Sequence, residues 1–408
     1  MNHSNKTATD ILEELHKMPL FRLSLGSKEL FHSNFLEFLW DLDEDEGHIH
    51  FIKMINELLG EDHLKEDGSS VYFLSREKEN FDICIYHKNG NSIIYDLILE
   101  NKVKSIPYKE QLDKYCERIK KKNSKIQKPS LQSTNVKYLL LSLAIDFPDK
   151  SILAPWKTVH YNTLESAIKN QSWPQNKPGS SYIDKYRDFI LSLSELGGAV
   201  LNNYLTETLF QDVKAFKDRR LHDLYIKLRC TSFMVELKTQ LEIQNIPVFF
   251  LVANQVRKQN NKHNNKPGVY LNFNVFNAVG QVGALVWTGK ENDDIYEVVV
   301  QGDQFRHGIN QATPDSVPKR PKQRDILNTM WERLNSADPS KSFLNEIRTE
   351  SVHYPKQADK KKNKKGPYDD YDNGYVYRYI KCDKWAVGEL LKNMVVDIRD
   401  IAQKRGII

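Results

Sequence analysis

The sequence predicts an α/β fold: a mixed-sheet core flanked by helices, followed by an α+β C-terminal domain. Three observations carry this. Two strand-like runs, Phe81-Asp-Ile-Cys-Ile-Tyr86 and Ser92-Ile-Ile-Tyr-Asp-Leu-Ile-Leu99, are joined through Asn89-Gly90, the strongest short hairpin signal a sequence offers. A helical stretch at 108–122 then leads into Val136-Lys-Tyr-Leu-Leu-Leu-Ser-Leu143, the nearly continuous apolar run expected of a central, buried strand. Beyond residue 197, long helical stretches give way to several strand-like runs.

The elements follow in chain order. Residues 9–25 have the spacing of a short amphipathic helix, and 30–42 make a second with Phe31, Phe35, Phe38 and Leu39 on one stripe. Val71-Tyr-Phe-Leu74 begins the first strand, which continues toward Arg76-Glu77. The hairpin comes next, and Ile106-Pro107 ends its second strand. The order strand, strand, strand, helix, strand is then complete. A Pro/Gly/polar loop fills 170–180, a helix spans 181–195, and Gly197-Gly198 is a candidate hinge or helix interruption. We therefore divide the chain into 1–196 and 197–408. In the second part, helices run to about residue 243, strands are expected at 247–253, 269–277, 283–287 and 295–301, and helices at 323–335 and 384–404. No internal repeat is visible.

Composition narrows the class. The 408 residues suggest two or three domains. A hydrophobic content of 40% is enough for real cores, and a net charge of +5 is compatible with a polyanionic partner. Cys84, Cys116, Cys230 and Cys382 are widely spaced with no Cys-x-x-Cys, which argues against structural zinc and a disulfide scaffold. The polar start, Met1 to Asp10, lacks a signal-peptide core, and no apolar stretch reaches membrane-spanning length. A cytoplasmic protein is the simplest expectation.

The chemistry concentrates at the end of the second hairpin strand, Glu100-Asn101-Lys102. Strand alternation puts Glu100 and Lys102 on one face and Asn101 on the other. A turn centred just beyond Asn89 places Asp82 opposite Ile98, on the face of Glu100 and diagonal to it, within about 7–8 Å. A strict Asn89-Gly90 loop would instead carry Asp82 to the wrong face. The sequence therefore requires a slightly longer loop or a bulge. Two carboxylates on one face suit a hard cation such as Mg²⁺, with Mn²⁺ able to substitute. The Asn101 carbonyl can add a backbone ligand, and Lys102 can orient a water or stabilise charge on a phosphorane-like transition state. Gln111 and Tyr115 lie four apart on the following helix and share one face, so both can line the groove beside the metal.

This order, Asp82…Glu100-Asn101-Lys102, resembles the PD-(D/E)XK nuclease superfamily, whose core is restriction-endonuclease-like. Gln111-x-x-x-Tyr115 resembles the element that follows the lysine in RecB-type members. Phe31-His-Ser-Asn-Phe-Leu-Glu-Phe-Leu39, Trp156-Lys-Thr-Val-His-Tyr161 and Tyr182-Ile-Asp-Lys-Tyr-Arg-Asp-Phe189 are similar to one bacterial branch, so the likeness covers roughly residues 28–195. One departure is that Phe81, not Pro, precedes Asp82. The resemblance implies a metal-dependent nuclease acting on nucleic acid, expected to be DNA, in bacterial anti-phage defence or DNA processing. It also implies that Gln111 and Tyr115 contact nucleic acid or steady the site. The alternative is a catalytically silent nucleic-acid-binding or protein-partner sensor module on the same fold.

Other candidates are weaker. Glu77 ranks as a third metal-binding acid, against an ion pair with Arg76 or Lys78. Glu37 is a candidate outer-shell acid, with a solvated helix glutamate favoured. Asp96 shares parity with Glu100 but lies about 13 Å along the strand. Asp41-Leu-Asp-Glu-Asp-Glu-Gly47 fails as a calcium loop, because Glu46 and Ile52 stand where Gly and Glu are needed. His48 and His50 are read as surface or cap residues. The run Arg118-Ile-Lys-Lys-Lys122, continuing to Lys125 and Lys128, is either a solvated face or a phosphate-tracking one, and the basic insertion Lys356–Gly366 either a solvated loop or an arm that grips phosphates. The alternation Tyr270-Leu-Asn-Phe-Asn-Val-Phe276 is either a base-stacking platform or, more commonly, core. For residues 197–408, substrate grip, dimerisation (a homo-oligomer) or sensing of a protein partner are the roles left open.

Overall fold

A computed structural model describes residues 6–24, 28–65, 71–103, 109–124, 136–144, 153–211, 213–251, 266–276, 279–289, 294–311 and 375–408. The chain divides into two compact units, Met1–Asn202 with Val213–Leu228, and Asn203–Asp212 with Arg229–Ile408.

The first unit opens with helices α1 (Ala8–Lys17), α2 (Pro19–Ser24), α3 (Lys28–Leu42) and α4 (Ile49–Leu59). Thr7 caps α1 in a capping box with Asp10, which satisfies two otherwise orphaned amides. The single helix expected at 9–25 is broken: Met18 is extended ahead of Pro19, because a residue before proline is pushed out of the helical region. On α3, Phe35 and Leu39 are buried as their stripe requires, and the Phe35 ring stacks on Tyr186 at 3.7 Å.

Strands β1 (Tyr72–Arg76), β2 (Ile83–Asn89), β3 (Ser92–Lys102), β4 (Lys137–Ser142) and β5 (Trp156–His160) form one sheet in chain order. β1, β2 and β3 pair antiparallel, and β4 and β5 continue parallel to β3. Helix α5 (Lys109–Ser124) lies on the face bearing Glu100. The opposite face meets α3, through Arg76 with Glu37, and the start of α6 (Tyr161–Lys169), through Tyr161 with Asn101. Helix α7 (Ser181–Leu201) runs unbroken through Gly197-Gly198, so the interruption expected there does not occur. Short α8 (Lys214–Asp218) follows, and long α9 (His222–Ile243) belongs to this unit through Leu228 and to the second from Arg229.

The second unit holds β6 (Val248–Leu251), β7 (Gly268–Phe276), β8 (Val279–Trp287), β9 (Asp294–Gln301), β10 (Gln304–Gln311), β11 (Tyr375–Lys381) and α10 (Val387–Lys404). Its sheet has the order β11-β10-β9-β8-β7-β6, antiparallel except for β6 with β7. β10 was not expected, since Arg306, His307 and Gly308 interrupt its apolar pattern; the His307 ring is buried against Asp397 of α10 at 2.6 Å. Tyr270 belongs to a buried cluster with Trp287 and Ile295, so this end of the aromatic alternation is core. The helix expected at 323–335, the basic insertion 356–366, Lys125 and Lys128 lie outside the described residues. Among the described residues, no helix is long and apolar enough to cross a membrane.

Candidate active site

The hairpin sets the geometry of the site. Asn89 pairs with Ser92, so the loop is Gly90-Asn91, one residue later than Asn89-Gly90, and Gly90 takes the left-handed conformation at φ 57°. From there Tyr86 faces Tyr95, but Ile85 faces Leu97. Asp96 is the extra residue of a β-bulge. The bulge reverses the facing of everything beyond it. Cys84 therefore pairs with Ile98 and Ile83 with Leu99, and the next positions in that register are Asp82 and Glu100. Of the longer loop or bulge that the sequence requires, the bulge is present, and Asp82, in the bend just before β2, lies one step past the last ladder pair, Ile83 with Leu99. The partner differs: Ile98 stands opposite Cys84, so the register, continued past its last pair, leads Asp82 toward Glu100 rather than Ile98.

Asp96 is held by what surrounds the bulge. Its carboxylate meets His87 Nδ1 at 2.7 Å, and burial raises its pKa. Asn123 at the end of α5 accepts the Tyr95 N–H at 3.4 Å and donates to the Tyr95 carbonyl at 3.3 Å. This amide serves the backbone where the ladder is irregular.

At the other end of α5 the side chains converge. Lys102 Nζ lies 2.7 Å from Glu100 Oε1. Gln111 Nε2 donates to the same oxygen at 3.2 Å and to the Tyr115 hydroxyl oxygen at 2.8 Å. Glu100 and Lys102 are only 2% and 8% exposed, so their attraction is little screened. Asp82 is half-buried, and its Oδ2 accepts the backbone N–H of Asn101 at 2.7 Å. Burial raises the Tyr115 pKa, with Glu100 and Asp82 adding to the rise and Gln111 and Lys102 opposing it; the group stays a neutral hydroxyl.

Four of the expected residues, Glu100, Lys102, Gln111 and Tyr115, are thus linked by direct contacts, and Asp82 is tied to the main chain between Glu100 and Lys102. Glu77 is not brought in. It is exposed in a left-handed conformation after β1, and its backbone N–H donates to the Asp82 carbonyl at 3.3 Å. Among the described residues, no group of three or more His, Cys, Asp or Glu is placed to hold a metal ion. Glu37 pairs with Arg76 at 2.5 Å. His50 meets Asp43 at 2.7 Å, and His48 stacks on Trp40 at 3.7 Å; both belong to the start of α4.

Two supporting contacts carry no signal in the sequence. Phe81 packs edge-on against Tyr115, centroids 5.0 Å apart. The residue that replaces a proline thus helps seat the helix beside the site. On the far face of β3, the fully buried Asn101 side chain accepts a hydrogen bond from the Tyr161 hydroxyl. The run ending in Tyr161 carries a family likeness, but nothing local in it shows that it reaches Asn101.

Residues 20–184 match the family model described as the PD-(D/E)XK nuclease superfamily. Over these residues the chain is similar to the PD-(D/E)XK nuclease superfamily. The match spans every residue of the cluster. The five-stranded mixed sheet with helices on both faces is consistent with the restriction-endonuclease-like core of that superfamily. No curated protein and no solved structure matches the chain.

Proposed function

We propose that this protein is a metal-dependent nuclease that hydrolyses phosphodiester bonds of DNA. The observation that carries the reading is the bulged register that leads Asp82 toward Glu100, with the Lys102 ammonium 2.7 Å from Glu100. The donor set fits a divalent ion. Asp82, Glu100 and the Asn101 carbonyl are all hard oxygens, and Mg²⁺ takes one or two protein carboxylates while keeping positions for water and phosphate. Mn²⁺ accepts the same ligands. When bound, such an ion polarises the phosphoryl oxygen and lowers the pKa of a bound water.

The chain's own residues do the rest. Asp82 and Glu100 bring negative charge to one point on the sheet. Lys102, held by Glu100, presents an ammonium to the attacking water or to charge building on the phosphoryl group. Gln111 fixes the Glu100 carboxylate and is itself fixed by Tyr115, in the manner of the RecB-type element, so both acceptor and donor are oriented before substrate arrives. Glu77 is assigned no ligand role. The superfamily likeness favours a place in bacterial anti-phage defence or DNA processing. The second unit is assigned to substrate grip, dimerisation or sensing.

The test is cleavage of plasmid and single-stranded DNA in Mg²⁺ or Mn²⁺, with wild type beside Lys102→Ala. Metal-dependent cutting by wild type alone is expected. Equal activity in both proteins rejects the assignment, and binding without cutting by wild type identifies the silent module instead.

A further inference from the structure

The face of the sheet that carries Asp82 and Glu100 continues beyond them toward the hairpin. Phe73 of β1 is the cross-strand partner of Tyr86 on β2, and Ser75 that of Cys84. Cys84 in turn faces Ile98, two residues before Glu100. By strand alternation Phe73, Tyr86 and Glu100 share one face. The Phe73 and Tyr86 rings stack, centroids 5.6 Å apart and planes at 21°. Both are half-buried, on the last two strands of the sheet, and among the described residues no strand pairs with the outer side of β1.

Cations collect on this ledge. Lys78 Nζ sits 4.2 Å from the centre of the Tyr86 ring, and Lys88 Nζ 4.6 Å from that of Phe73. Helix α5 borders it with the stripe Gln111, Tyr115, Arg118 and Lys122, at helical spacing. Arg118 lies over Phe81 at 5.9 Å. Glu77, exposed at the end of β1, is the acid adjoining this patch. An apolar core has no use for ammonium groups over each ring, whereas a polynucleotide uses both: bases stack on aromatic faces and phosphates seek lysine.

We propose that Phe73 and Tyr86, with Lys78 and Lys88, form a ledge that takes a single-stranded polynucleotide flanking the point of cleavage. A base stacks on the aromatic pair and neighbouring phosphates meet the two lysines. Tyr86 lies four steps along the chain from Asp82, about 13 Å in an extended strand, or some four stacked nucleotides at about 3.4 Å each. A paired base offers no free face to the rings, so the ledge selects unpaired strands. This rests on the nuclease reading for its purpose, but it is tested without cleavage.

The experiment uses the full chain in EDTA and follows anisotropy of labelled DNA and RNA single strands of about 20 nucleotides, and of the matching DNA duplex. Tyr86→Leu and Phe73→Leu are expected to weaken single-strand binding about tenfold, with duplex binding within about twofold. The pair Lys78→Gln with Lys88→Gln is expected to lower the salt slope of single-strand binding by about 1.4. The lysine variant guards against misfolding, since it leaves the rings in place. Unchanged single-strand affinity in folded variants, or equal losses on duplex and single strand, overturns the ledge. Ledge-dependent binding by a wild type that cuts nothing in Mg²⁺ would leave the ledge standing and reject the nuclease.

Discussion

The Asp82 carboxylate accepts the backbone N–H of Asn101 at 2.7 Å, so one acid of the site holds the main chain between the other acid and the lysine. Asp82 therefore has two separable duties, supplying charge and anchoring β3. Asp82→Asn keeps an oxygen for the amide and removes the charge; we expect a native melting curve and cleavage lowered at least a hundredfold. Asp82→Ala removes both, with a further stability loss of about 1–2 kcal/mol. Cleavage rates and denaturant midpoints for the two variants check this, and equal stabilities would refute the anchoring role.

The Glu100–Lys102 pair is buried on both sides. Removing one partner strands a charge away from water. Lys102→Met is expected to cost about 3 kcal/mol without metal, and Glu100→Gln in the same chain to recover much of that loss. Neither protein should cut. A urea titration in EDTA measures the difference, and an additive double variant would show that the two charges do not interact.

Gln111 bridges Glu100 and Tyr115. Tyr115→Phe leaves the ring against Phe81 but removes the oxygen that holds Gln111. Stability should fall by about 1 kcal/mol and cleavage by about tenfold, because Glu100 loses its fixed orientation. Gln111→Ala should cost more activity than Tyr115→Phe. Comparing the two rates at saturating metal decides the order of dependence.

His32 supplies a pH prediction. It is buried beside the Tyr186 hydroxyl, with Nδ1 at 2.9 Å, and burial lowers its pKa from 6.5 to about 3. Its folded pKa lies below the unfolded value, so the unfolded chain binds a proton that the folded chain refuses. The neutral ring's contribution is whole above pH 6.5 and is lost as pH falls toward 3. Between pH 7 and pH 5 it should decline by about 2 kcal/mol. His32→Gln removes that decline; urea midpoints for both proteins at the two pH values test it, and parallel pH profiles would contradict it.

The candidate site was legible wherever its logic is local. Alternation along β3 put Glu100 and Lys102 on one face, and four-residue spacing put Gln111 and Tyr115 on one side of α5. The need for a longer loop or a bulge also followed from sequence, since a strict Asn89-Gly90 loop turns Asp82 away. Its position did not, because it depends on neighbours far along the chain. Asp96 can be the extra residue where His87 receives its carboxylate and Asn123, from the far end of α5, serves the Tyr95 backbone. Glu77 failed as a third acid for a related reason: a left-handed residue after β1 turns it to solvent.

By itself the sequence determined the hairpin, the order of elements in the first sheet, and which acids, lysine and amide serve one face. These follow from periodicities of two and 3.6 residues, which each segment carries within itself. Tertiary structure alone decided that Asp82 is led toward Glu100, that its carboxylate clamps the Asn101 amide, that Phe81 seats Tyr115, and that Tyr161 braces Asn101 from sixty residues away. Those contacts join segments whose spacing in the chain carries no signal, because burial and hydrogen-bond satisfaction are settled only when the layers meet.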